Sequence, residues 1–209
     1  MAPPTIYYIR HGETDWNVAG RLQGRRNVPL NARGRAQASH CGDIMRELFA
    51  PSGRNSADLD YVSSPLGRAR ETMELVRATL GLSPNGYRLE PRLAEISFGD
   101  WEGFTIAQLH TRDPERIAAR EHDKWHFVPP GGESYKIVSN RVSEWYDSLT
   151  RDTVAVAHGG TACRYCPRCC VRIRRQADGA VRITVIEKKT AGLLVRPFER
   201  AQTRGRNRI

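Results

Sequence analysis

Two histidines in this chain stand in the same local setting. His11 follows the run Thr5–Arg10 (TIYYIR), and His158 closes the run Thr153–His158 (TVAVAH). Each is followed at once by glycine, Gly12 in one case and Gly159-Gly160 in the other. An imidazole can attack as a nucleophile, exchange a proton near neutral pH, or donate a hydrogen bond. Both runs read as short buried strands. In open parallel sheets the carboxyl ends of the strands line the ligand crevice. His11 and His158 are therefore expected to face one site although they lie far apart in sequence. Taken singly, such residues carry little. An arginine such as Arg10 or Arg68 is usually a surface cation, Glu95 reads as a solvated carboxylate, and a strand-end histidine as a satisfied core residue.

The elements that would position them are legible in the periodicity. Asn31–Phe49 reads as a helix with Cys41, Ile44, Met45, Leu48 and Phe49 on one face and Asn31 as its N-cap. Pro51–Asp58 is a loop and Leu59–Ser63 a second short strand. Pro65–Leu80 reads as a helix with Pro near its start, Gly81 past its end, and Leu66, Ala69, Met73, Val76 and Leu80 as its apolar stripe. Tyr87–Leu93 is expected to be a third strand, and Asp113-Pro114-Glu115 to open a short polar helix. After Pro129-Pro130-Gly131-Gly132, the stretch Glu133–Leu149 reads as a helix with Val138, Val142, Trp145, Tyr146 and Leu149 inward. Thr153–His158 has the small apolar character of a central strand. Strands alternating with helices predict a three-layer α/β/α sandwich with a mostly parallel central sheet.

Longer blocks give the histidines a context. The run from Arg10 to Ala38 (RHGETDWNVAGRLQGRRNVPLNARGRAQA) comes first. Ser63-Ser64-Pro65-Leu66-Gly67-Arg68-Ala69 with Thr72 is the second block. Leu93-Ala94-Glu95-Ile96 with Phe98-Gly99-Asp100-Trp101-Glu102-Gly103 is the third. Pro130-Gly131-Gly132-Glu133-Ser134 and Ala157-His158-Gly159-Gly160 close the series. In this order, over residues 5–161, they resemble the histidine phosphatase (phosphoglycerate-mutase-like) superfamily.

That resemblance implies a phosphoglycerate-mutase-like fold and a division of labour. His11 maps to the family's attacking histidine and Glu95 to its proton donor. Arg10 and Arg68 would bind the phosphoryl oxygens, with His158 as a further donor. A neutral imidazole attacks phosphorus and leaves again readily, so one hard step becomes two easier ones. Neighbouring cations keep it unprotonated. Guanidinium groups position phosphate bidentately and neutralise its charge. One carboxyl can protonate the leaving oxygen and then activate water. Asn17, Gln23, Gly24 and the backbone at Gly159 are weaker candidates for phosphate or substrate contacts. The resemblance calls for no metal and no cofactor, because the arginines do the work of magnesium. Trp16, Trp101 and Trp125 read as packing residues.

Composition divides the chain. Residues 1–161 hold 20 Lys+Arg and 20 Asp+Glu, whereas residues 162–209 hold 13 Lys+Arg against 3 acids. The net charge of +10 therefore belongs to the tail alone. Cys163, Cys166, Cys169 and Cys170 crowd there too. The expected organisation is a catalytic domain over 1–161 and an atypical basic segment over 162–209, completing the domain or divergent. Relatives continue from the last block into an apolar helix, but Pro167 and the arginines oppose one here. The abrupt change favours a segment divergent from, or out of frame with, its relatives. The alternatives are a thiolate metal site, which the clustering fits poorly, and a basic arm for nucleic acid or acidic partners. Without the covering helix, reduced stability or self-association is expected. Val181–Glu187 and Ala191–Phe198 still look strand-like.

No apolar run reaches membrane-spanning length, and Met1–Arg10 lacks the pattern of a signal peptide, so a cytoplasmic enzyme without membrane contact is expected. The leading reading is a phosphatase for a small phosphorylated metabolite. Phosphoglycerate mutase is the runner-up, disfavoured by the compact Thr105–Ser134 stretch. An inactive phospho-ligand binder comes third. Nucleic acid is disfavoured, since only the basic tail suggests it, and a homodimer is left open.

Overall fold

Alternation along the first strand sorts its side chains onto two faces. In the computed structural model, which describes residues 4–162 and the strands 183–187 and 194–197, β1 spans Thr5–Arg10. Ile6 and Tyr8 enter one core while Tyr7 and Ile9 enter another. β2 spans Asp60–Ser63, β3 Arg88–Leu89, β4 Thr153–Ala157, β5 Ile183–Glu187 and β6 Leu194–Pro197. The sheet order is β3-β2-β4-β1-β5-β6. The first four strands pair in parallel, and β5 runs antiparallel to both β1 and β6. Every residue of β4 is buried, as befits a strand covered on both faces.

Helices cover both faces. α1 is the single turn Asp15–Val18. α2 (Ala32–Phe49) and α3 (Gly67–Thr79) lie over Tyr7, Ile9, Tyr61, Val154 and Val156, contributing Cys41, Met45, Phe49, Ala69, Met73 and Val76. α4 (Ile106–Arg112), α5 (Pro114–His122) and α6 (Tyr135–Asp147) belong to the other core, with Ile6, Tyr8, Val62, Ala155 and Ala157. The result is the expected three-layer α/β/α sandwich. Asn31 caps α2 by accepting from Gly34 N–H at 2.8 Å, and Ser134 caps α6. Among the described residues no helix is long and apolar enough to cross a membrane.

One local expectation is corrected. Tyr87–Leu93 is not one strand: pairing stops at Leu89, and Pro91–Leu93 is a 3₁₀ turn capped by Glu90. Pro91 has no N–H for a sheet ladder, which ends the strand early. In addition, the polar stretch after Thr105 forms α4, begun by a capping box between Thr105 and Gln108. The Cys-rich residues 163–170, on which the helix and metal expectations fall, lie outside the described residues, as does most of the 162–209 segment of the basic-arm expectation.

Candidate active site

The sheet brings the two histidines together. β1 and β4 pair with Arg10 opposite Ala157, and His11 N–H donates to Ala157 O at 2.9 Å. The next residues on each strand, His11 and His158, therefore emerge at the same carboxyl edge. Their rings lie 5.0 Å apart, centroid to centroid, tilted by 57°. Both are buried.

Arg68 reaches them from the first turn of α3. It is fully buried, and its three nitrogens are all engaged. Nε donates to His11 Nε2 at 3.3 Å, Nη1 to Arg26 O and Nη2 to Gly24 O, each at 2.8 Å. One helical turn on, Thr72 Oγ1 accepts from Gly12 N–H at 3.1 Å and donates to Arg68 O at 2.7 Å. Arg68 thus ties His11 to the carbonyls of Gly24 and Arg26, while Thr72 holds the backbone that follows His11. Its Nδ1 lies 2.7 Å from Gly12 O. A carbonyl only accepts, so Nδ1 carries the proton and Nε2 keeps its lone pair.

Glu95 comes from the loop after the Pro91–Leu93 turn. Its Oε1 accepts from Ile96 N–H and from Gly160 N–H, both at 3.0 Å. A Cβ on Gly160 would overlap that same oxygen, so glycine is what admits the carboxyl here. Arg10 is exposed at the end of β1. A Cβ on Gly159 would stand 3.6 Å from its Nε, which places its guanidinium beside the His158 loop.

The electrostatics follow from burial and from these cations. Burial holds His11 well below the ordinary histidine range, and the Arg10 and Arg68 charges push it further down. Burial does the same to His158, aided by His11, Arg68, Arg10 and Arg141. Glu95 moves the other way: burial raises its pKa, against the two N–H donors and the charges of Arg68 and Arg10. Burial is the leading cause in all three cases, ahead of the cations that the sequence points to.

His11, Arg10, Arg68, Glu95, His158 and Gly159 therefore share one edge of the sheet. Gly24 contributes the carbonyl that holds Arg68. Gln23 is buried with its Oε1 unpartnered. Asn17 has its Oδ1 committed to α1, accepting from Thr14 N–H and Thr14 Oγ1, both at 3.1 Å.

Three contributors were not singled out in the sequence. Gly160, rather than Gly159, supplies the N–H to Glu95. Ser64 Oγ lies 2.7 Å from His158 Nε2, a contact that the sequence of its block does not reveal. Arg141, on α6, donates to Glu95 O at 3.3 Å and to Glu133 Oε2 at 3.2 Å. Nothing in the sequence marks Arg141, an isolated arginine on a helix.

A neutral imidazole backed by two guanidiniums, a second imidazole and a carboxyl of raised pKa can together accept and release a phosphoryl group. A sequence model of the histidine phosphatase superfamily (branch 1) matches residues 6–171. The chain belongs to this superfamily. The family match reaches ten residues past Thr161, where the recognised blocks end. The chain is 36% identical over 174 residues to glucosyl-3-phosphoglycerate phosphatase of Mycobacterium tuberculosis, covering 77% of this chain and 72% of that protein. It is 32% identical over 160 residues to adenosylcobalamin/alpha-ribazole phosphatase of Escherichia coli, covering 74% and 73% respectively. A solved structure of a putative alpha-ribazole-5'-P phosphatase from Escherichia coli superposes with a TM-score of 0.75 at 25% identity, covering 95% of this chain and 97% of that one. Like these relatives, the protein is a histidine phosphatase family enzyme.

Proposed function

We propose that this enzyme hydrolyses a small phosphorylated metabolite through a phosphohistidine at His11. The observation that carries the reading is the state of His11: a buried, neutral ring whose proton sits on Nδ1, with Nε2 facing the Arg68 guanidinium at 3.3 Å.

In the first step His11 Nε2 forms a bond to phosphorus while the ester P–O bond breaks. Glu95, whose pKa burial raises above the ordinary carboxylate value, gives its proton to the leaving oxygen. Arg10 and Arg68 hold the equatorial oxygens as charge redistributes, and His158 adds a hydrogen bond. In the second step Glu95, now a carboxylate, takes a proton from water. The water oxygen bonds to phosphorus, the N–P bond breaks, and His11 returns to its neutral form. The guanidiniums supply the positive charge that a magnesium ion supplies in other phosphoryl-transfer sites, so the reading calls for no metal and no cofactor. The names of the two phosphatase relatives support a small phosphorylated substrate and a hydrolytic outcome. All of the groups invoked come from one chain, in a domain whose sheet the strands β5 and β6 extend. The cytoplasm, where such metabolites are found, is the location that suits it.

A phosphate-release screen over phosphorylated metabolites tests this. The parent protein is expected to release phosphate from at least one, and His11→Ala to release none above background. Release that survives His11→Ala would rule out the assigned nucleophile. Including 3-phosphoglycerate with a trace of 2,3-bisphosphoglycerate would reveal isomerisation, the mutase outcome, on the same plate.

A further inference from the structure

His158 uses only one of its ring nitrogens within the protein. Nε2 lies 2.7 Å from Ser64 Oγ, while Nδ1 is buried without a hydrogen-bond partner. Sheet pairing creates the Ser64 contact. β2 and β4 run in parallel with Ser63 opposite Val156, and Ser64 N–H donates to Val156 O at 2.9 Å. Ser64 thus leaves its strand beside the point where His158 leaves the neighbouring one. The far side of Ser64 Oγ accepts from Leu66 N–H at 3.3 Å.

A neutral imidazole has one N–H, so the tautomer decides which nitrogen can donate. If Nε2 held the proton, it would donate to Ser64. The serine hydroxyl proton would then lack an acceptor, and Nδ1 would be a buried lone pair. If Nδ1 holds the proton, Ser64 O–H donates to Nε2, Leu66 N–H donates to Ser64 Oγ, and one N–H remains for a ligand. Buried polar groups left unmade are costly, and the second arrangement leaves fewer of them. It also suits the chemistry, because a phosphoryl oxygen accepts hydrogen bonds and cannot donate one when ionised.

Building on the reading of His11 as nucleophile, we propose that Ser64 is a positioning residue that fixes the Nδ1–H tautomer of His158, so that His158 donates from Nδ1 to the phosphoryl group in transit. Ser64 itself touches no substrate atom. The neutral state of His158 makes the serine necessary: a doubly protonated ring would donate from both nitrogens and need no such choice.

The test begins with the unmodified enzyme. In ¹⁵N NMR of ring-labelled histidine, the resonances lost in His158→Gln are expected to show Nδ1 protonated and Nε2 bare. Ser64→Ala is expected to mix the two tautomers and lower kcat about tenfold with little change in KM. Ser64→Thr, which restores the hydroxyl, should recover most of that rate. A proton on Nε2 in the parent, or an unchanged kcat in a folded Ser64→Ala, would overturn the proposal. If Ser64→Ala fails to fold, the parent's tautomer still decides. Failure to trap a phosphohistidine in the parent would bring down the nucleophile reading, a separate result from the tautomer.

Discussion

At the scale of single residues, the site pairs groups whose environments drive their protonation in opposite directions. His11 is kept neutral by burial and two guanidiniums, while burial keeps the Glu95 carboxyl protonated to higher pH than usual. A nucleophile and an acid can then coexist at one pH. Glu95→Gln preserves an oxygen to accept from Ile96 and Gly160 but removes the transferable proton. It is expected to lower kcat roughly 10²- to 10⁴-fold. In the parent, kcat/KM should fall as pH rises through the raised Glu95 pKa, because the first step needs the protonated form. In Glu95→Gln that alkaline limb should flatten. A variant with the parent's rate and profile would show that the proton comes from another group.

At the scale of elements, the placement of the site depends on close backbone approaches as much as on side chains. The first turn of α2 lies against the loop that carries His11. A Cβ on Gly34 would overlap the backbone of Glu13, and one on Gly12 would overlap the Gly34 carbonyl. Gly34→Ala is therefore expected to cost about 1–3 kcal/mol of stability and to shift the His11 loop, so both urea midpoint and kcat should drop. An unchanged midpoint would mean that the contact relaxes freely. The same scale shows what sequence reasoning can reach. β1 and β4 are legible as short unbroken apolar runs that end at glycine, and α2, α3 and α6 because their apolar residues follow the helical period and caps or glycines mark their ends. The strand expected over Tyr87–Leu93 ends at Leu89 because the apolar and β-prone residues there surround a proline that cannot join the ladder. α4 was missed because its polar sequence buries only Leu109 among its residues. His11, Arg68, Glu95 and His158 stand in recognisable local blocks. The contacts that orient them are not local: Ser64, although it lies inside one of those blocks, meets His158 across 94 positions, and Arg141 meets Glu95 across 46. Contacts that the sheet and helix packing create leave no local pattern to read.

At the scale of the whole molecule, the buried histidines tie stability to pH. Both have folded pKa values well below the unfolded value of about 6.5. Between the two values the unfolded chain binds more protons, so stability is full above about 6.5 and is lost as pH falls below it. Glu95 has the opposite sign: its raised pKa contributes stability at low pH that is lost as pH rises through the folded value. Two strongly shifted histidines outweigh one carboxyl in the mildly acidic range. Tm is expected to fall between about pH 7 and about pH 5.5, and His11→Asn, which removes one of the two groups, should reduce that slope by at least about half. An unchanged slope would mean that His11 is not buried neutral in the folded state.

The central claim is a covalent bond between His11 and phosphorus, and trapping it is the most direct measurement. Enzyme mixed with a turned-over substrate carrying labelled phosphate would be quenched in alkali, where phosphohistidine survives, and digested. The label is expected on the peptide that contains His11, to be lost on brief acid treatment, and to be absent from His11→Ala. Label on another residue, or substrate turnover by the parent with no labelled protein at any quench time, would contradict the account.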